Sequence, residues 1–286
     1  MKLKKFLIWI IAIVITLGAV LYQRTTGPTY ERDEVISIMD STWDIELIRS
    51  SGERDARVKL PMKGENLTAI LHYKKFRTDE PWTSVNFATK EIKYHSWFMT
   101  KVLGKEDEEA LVAYLPMQPP AGKLEYFLEL NAGDEKVFVA KDKHVVIRFK
   151  GDVPAGVLIP HIILMFLTML FATVAGIYAA TRIERFKRMT NWTFWLLLLG
   201  GFLFGPWVQW HAFGEWWAGI PFGWDLTDNK TLFAFVFWVA AFFGNRKKSR
   251  PGLVILAAVM TLVIFSIPHS MFGSELDYST GQVTQG

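Results

Sequence analysis

"WHAFGEWWAGIPFGWDLTDNK" (residues 210–230) joins two apolar runs and carries four tryptophans, one histidine, three carboxylates and a single lysine. Its charge decides how the chain is threaded. Glu215, Asp225 and Asp228 outnumber Lys230 here. The neighbouring connections are basic: Arg182, Arg185, Lys187 and Arg188 precede the run 192–213, and Arg246, Lys247, Lys248 and Arg250 follow the run 231–244. Basic loops stay on the cytoplasmic side of a membrane. Residues 210–230 are therefore expected to face outward, and the two basic loops inward.

Four apolar segments follow the chain's midpoint, at 159–181, 192–213, 231–244 and 252–267, the third being short for a full span unless its flanks contribute. A fifth, FLIWIIAIVITLGAVLY (6–22), follows Lys2, Lys4 and Lys5 and has no small-residue cleavage site after it, the pattern of an uncleaved signal-anchor. With 51% hydrophobic residues gathered into such blocks, the fold class is a mixed membrane protein. The expected parts are an anchor helix (1–22), an outward β-sandwich (23–153), a four-helix transmembrane bundle (154–272) and a polar tail (273–286). Five spans place the N-terminus inside and the C-terminus outside, with the bacterial inner membrane as the expected location. Lys, Arg, Asp and Glu are absent from the middles of these runs, which argues against a proton or ion path through the bilayer.

The pI near 9.1 does not mark a nucleic-acid partner. Residues 23–153 hold 20 Lys and Arg against 22 Asp and Glu, a net of about −2, so the basic excess belongs to the inner loops and the start of the chain. The sequence has no cysteine, which removes disulfides and thiolate ligands and leaves imidazole and carboxylate.

Short runs rich in β-branched and aromatic residues fill the outward segment: 67–76, 95–103, 110–116, 123–131, 136–140 and 144–150. NAGDE (131–135) is the clearest hairpin connection, with Gly133 free to take a positive φ. His72, His95 and His144 fall on three of these strands with nothing in the sequence to bring them together, and GKEDEEAL (104–111) reads as a solvated loop. The stretch AYLPMQPPAGKLEYFLELNAGDEKVFVA (113–140) resembles the last strands of extracytoplasmic immunoglobulin-like or fibronectin type III-like modules, in which a Pro-rich turn leads into a Tyr-bearing strand and a hairpin. That resemblance covers residues 65–150. It implies a β-sandwich with a binding or spacer role, and brings no catalytic residues. An envelope protein partner is expected through residues 30–150.

Three prolines at outer span ends each have a histidine close by. Pro160 suits a helix's first turn and puts His161 there, His211 stands about one turn beyond Pro206, and His269 follows Pro268. A first-turn position favours neutral imidazole at His161. Glu215 lies four residues after His211, and Asp225 and Asp228 share the same outward connection. His161, His211 and His269, with Glu215, Asp225 and Asp228, therefore form a candidate ligand set for zinc, copper or iron, and the histidines for haem b. The expected function is metal or haem binding in redox or metal handling. The same residues equally suit structural roles. Asp228 or Asn229 is placed to cap the helix that follows, Trp207, Trp210, Trp216, Trp217 and Trp224 suit an aromatic belt, and interfacial histidines can bond backbone freed by proline. On that alternative the protein is a non-catalytic scaffold or assembly factor of an envelope complex. Enzyme signatures such as G-x-S-x-G, Walker A or H-E-x-x-H are missing from the sequence. Gly201 and Gly205, with a stripe of Ala172, Gly176 and Ala180, predict close helix packing within the bundle.

Overall fold

A computed structural model describes residues 2–285 except 39, 63–66, 94–96, 98, 99, 102, 103, 105, 269, 270 and 272. The chain divides into a helical unit (1–28, 151–275 and 283–286) and a β unit (29–150 and 276–282).

The helical unit contains α1 (Lys2–Thr25), α2 (Ala155–Ala180), α3 (Phe186–Leu197), α4 (Gly205–Phe213), α5 (Leu226–Lys247) and α6 (Pro251–Ser266), with a π-helical segment, Leu198–Phe204, joining α3 to α4. Among the described residues, four stretches are long and apolar enough to cross a membrane: Leu3–Thr25, Ala155–Ala180, Phe186–Phe213 and Leu226–Lys247. The last extends the apolar run 231–244 at both ends, because Thr227–Lys230 is helical rather than loop. The expected fifth span, α6, has 16 residues, about 24 Å at ~1.5 Å per residue against a hydrocarbon core of about 30 Å.

The first helix packs into the helical unit. Ile8 and Ala12 are buried in one core with Ala172, Ala175 and Ala179 of α2, Trp238 and Ala241 of α5, and Val254 and Ala257 of α6. The fully buried Trp238 indole donates to Thr261 Oγ1 at 2.7 Å, which satisfies its one polar atom. Small residues set the approach distances. A Cβ on Gly176 would lie 2.5 Å from the Ala258 Cβ, and one on Gly201 2.7 Å from Thr231 Cγ2. These contacts are intramolecular, the use expected of such stripes. Pro160 departs from expectation: α2 begins at Ala155, so Pro160 and His161 lie inside the helix, in its second turn. The apolar run reaches back past the proline, and the helix follows it. The first-turn argument for a neutral His161 therefore does not apply.

In the β unit, β1 (Arg32–Ile38) and β2 (Ser41–Leu47) form a hairpin. One sheet runs β3 (Ser50–Ser51), β11 (Val145–Phe149), β9 (Lys123–Ala132), β5 (Leu67–Lys75), β6 (Thr83–Asn86), with β10 (Glu135–Val139) also paired to β9. A second runs β4 (Ala56–Leu60), β8 (Glu108–Leu115), β7 (Ala88–Ile92). Their inward residues, among them Ile45, Val58, Leu71, Leu115, Leu128, Ile147 and Phe149, form a single core. The β9–β10 hairpin turns at Gly133, whose φ is +59°. Tyr126 is buried in that core and its hydroxyl donates to the Ile48 carbonyl at 2.9 Å; burial pushes its phenol up.

Three details differ from the sequence expectations. Residues 32–38 and 41–47, of which 43–47 alternate apolar and acidic side chains, form the β1–β2 hairpin. The acidic run 104–111 is strand from Glu108 onward, where the carboxylate pairs with Lys59 of β4. The tail is not simply polar chain: Ser274–Leu276 (β12) and Val283–Gln285 (β13) pair, and between them the Tyr278 hydroxyl donates to the Lys123 carbonyl at 2.9 Å. Most of the expected strand 95–103, including His95, lies outside the described residues.

Candidate functional site

The connection 214–225 is built from the first turn of α5. Asp225 is the N-cap: its Oδ1 accepts from the Thr227 amide at 2.8 Å and the Asp228 amide at 3.1 Å. The cap thus stands three residues before the expected Asp228, because α5 already begins at Leu226. Asp228 and Asn229 are left free to reach back into the connection. Asp228 Oδ2 accepts from the Ala218 amide at 2.6 Å, and Asn229 Oδ1 from the Ile220 amide at 2.8 Å. These bonds bring Gly219 so close that a Cβ there would stand 2.8 Å from the Asp228 Cβ. The Trp217 indole donates to the Ile220 carbonyl at 3.1 Å, and Gly214, with φ +80°, ends α4 in the left-handed region.

The next polar residue of that turn reaches the C-terminal end of α6. Lys230 Nζ donates to the Ile267 carbonyl at 2.8 Å, and Gln23 Nε2 of α1 donates to the Phe265 carbonyl at 2.7 Å and to that of Ile267 at 3.2 Å. The last carbonyls of a helix lack intrahelical donors and carry its negative end. A lysine only 3% exposed thereby gains both an acceptor and a favourable field.

His161 also serves the backbone. Its Nδ1 lies 2.9 Å from the Gly200 carbonyl, which also accepts from the Gly205 amide five residues on. A carbonyl oxygen only accepts, so Nδ1 carries the hydrogen and Nε2 holds the lone pair in the neutral ring. Pro206 has no amide to donate, and the π-helical segment immediately precedes it. His211 stands half-buried in the last turn of α4, its ring 6.1 Å from that of Trp210. His269 lies outside the described residues. Glu215 is half-buried too; burial raises its carboxyl above the usual range, and the like charge of Asp225 raises it further. Among the described residues, no group of three or more His, Asp or Glu is placed to hold a metal ion.

Glu215, Trp216, Trp217, Phe222 and Trp224, with Val283 and Thr284, line an open cleft of about 600 Å³. Trp216, Phe222 and Trp224 are all more than half exposed.

A second cluster escaped sequence reasoning. His72 of β5, Phe127 of β9 and His144, just before β11, form a row across the sheet. Phe127 stacks on His72 at 4.6 Å and on His144 at 5.7 Å, and Trp82 stands edge-on to Phe127 and His144. Each imidazole has its own carboxylate: His72 Nε2 lies 3.2 Å from Glu129 Oε2, and His144 Nδ1 2.8 Å from Glu125 Oε2. Glu129 also takes Lys136 at 2.8 Å and Asn131 at 3.2 Å; with Lys136 as the leading cause, its carboxyl is pulled down to about 2. The Phe127 ring stands between the imidazoles and keeps them from sharing one ion. The period-two spacing of Glu125, Phe127 and Glu129 on one strand face was visible in the sequence, but the strand pairing that aligns the histidines was not.

Comparison of the chain with protein-family models, with curated proteins and with solved structures finds no match.

Proposed function

We propose that this is a non-catalytic scaffold or assembly protein of a bacterial envelope complex, held in the inner membrane with its N-terminus inside and its C-terminus outside. On this reading α1 to α6 provide the five membrane elements, the β unit is an extracytoplasmic sandwich of immunoglobulin-like character, and residues 30–150 receive a protein partner. One observation carries it. The polar groups at Asp225, Asp228, Asn229 and Lys230 each bond a backbone group that no helix or strand ladder satisfies, and His161 adds a second donor to the Gly200 carbonyl. They hold the fold, which leaves function to the exposed surfaces. The experiment compares proteins that co-purify with the full chain and with a chain lacking residues 30–150, both checked for monodispersity in detergent. Partners lost with the β unit support the reading; partners retained without it count against it.

A second reading keeps one specific support. The tautomer imposed on His161 leaves Nε2 as a lone-pair donor, the arrangement in which a backbone carbonyl orients a metal-binding imidazole. His211, His269 and the carboxylates Glu215, Asp225 and Asp228 would complete a zinc, copper or iron shell, or the histidines would ligate haem. Metal analysis and a visible spectrum of the purified protein decide it: a colourless protein without bound metal rules this site out.

A further inference from the structure

We propose that the cleft lined by Glu215, Trp216, Phe222 and Trp224 binds an alkylammonium group, such as a lipid headgroup or a free quaternary amine. The site is independent of the scaffold reading.

Among the described residues, Glu215 is the one ionisable side chain in the cleft lining, and Asp225 stands close enough for its charge to raise the Glu215 carboxyl. Between Arg188 and Arg246 the sequence offers one lysine or arginine, Lys230, and its ammonium is turned to the Ile267 carbonyl. The connection therefore carries a net negative formal charge, Glu215, Asp225 and Asp228 against Lys230, and a cation is the complementary occupant.

The rings select the kind of cation. Trp216, Trp217, Phe222 and Trp224 offer the cleft four aromatic side chains, and the indole face is the strongest aromatic partner for a cation. Phe222 and Trp224 are 81% and 76% exposed. A small divalent ion needs several oxygen or nitrogen ligands, and no such group exists among the described residues. An alkylammonium, large and weakly hydrated, gains from π faces and needs only one carboxylate.

The frame is fixed before the ligand arrives. Asp228 and Asn229 hold the Ala218 and Ile220 amides, and the Trp217 indole is tied to the Ile220 carbonyl. Little ordering cost is left for binding.

The test uses the full chain in maltoside micelles with choline as the probe, followed by saturation transfer from the protein's aromatic protons to the choline N-methyl signal. Saturable transfer is expected, suppressed by tetramethylammonium but not by potassium chloride at the same ionic strength. Glu215→Gln and Trp224→Leu should each weaken choline binding by about tenfold or more. The source is separated in nanodiscs. If discs of phosphatidylcholine suppress choline binding relative to discs of phosphatidylglycerol, the occupant is a lipid headgroup; equal binding in both assigns a free amine. Absence of saturable transfer in the wild type overturns the proposal, as does wild-type affinity in both variants.

Discussion

Lys230 Nζ donates to the Ile267 carbonyl at 2.8 Å, so the start of α5 is fastened to the end of α6 by a buried ammonium. The bond joins helix ends that neither sequence run would pair by itself. It explains how a lysine is tolerated in a segment apolar enough to cross a membrane.

Replacing that lysine by methionine keeps the stem and removes the donor. Lys230→Met should cost about 1.5–3 kcal/mol, the range for a hydrogen bond to a charged group. Gln23→Ala, which loses two neutral bonds to the Phe265 and Ile267 carbonyls, should cost less per bond. Thermal unfolding in detergent ranks the two.

The connection 214–225 should respond to acceptors rather than to charge. Asp225→Ala removes the cap of α5 and should cost about 0.5–2 kcal/mol. Asp228→Ala frees the Ala218 amide, whereas Asp228→Asn keeps an oxygen acceptor for it. Limited proteolysis within 214–225 should rise sharply in the alanine variant and only slightly in the asparagine variant.

The contact of α2 with α6 is set by one missing methyl group. Gly176→Ala puts a carbon 2.5 Å from the Ala258 Cβ and should destabilise by about 1–3 kcal/mol as an overpacked interface. Adding Ala258→Gly removes the opposing carbon and should restore most of the loss, a coupling that a double-mutant cycle measures.

The β unit should show an acid-linked loss of stability from Glu129. Its carboxyl is held down at about 2 in the folded chain, below the ordinary unfolded value of about 4.3. The group therefore stabilises the fold fully above that unfolded value, and the contribution is lost as pH falls from about 4 toward 2. Glu129→Gln should be less stable than wild type at neutral pH, with the two converging near pH 2. Protease sensitivity of the β unit across a denaturant series at each pH reads this difference.

Much of the helical unit was legible because long apolar runs declare themselves, and the prolines near 206 and 268 mark the π-helical segment and the end of α6. The ends of helices were harder. Thr227–Lys230 read as loop because its charges have no visible partners in sequence, yet Asp228, Asn229 and Lys230 are buried by bonds to backbone 10, 9 and 37 residues away. Pro160 suggests a helix start because proline favours the first turn, but the apolar residues before it extend α2 back to Ala155. In the β unit, period-two patterning exposed single strands, but the row of His72, Phe127 and His144 depends on pairing of β5, β9 and β11, which is non-local. The imidazole set His161, His211 and His269 was grouped by expected threading alone; of these, the structure describes His161 as a backbone donor to Gly200.

The account rests on the claim that the connection 214–225 is held by the chain's own side chains. Hydrogen exchange of the Ala218 and Ile220 amides, measured with and without a strong chelator, tests it most directly. Both amides should be protected in wild type, unaffected by the chelator, and exposed singly: Ala218 in Asp228→Ala, Ile220 in Asn229→Ala. Rapid exchange in wild type, or protection that the chelator abolishes, would contradict the account.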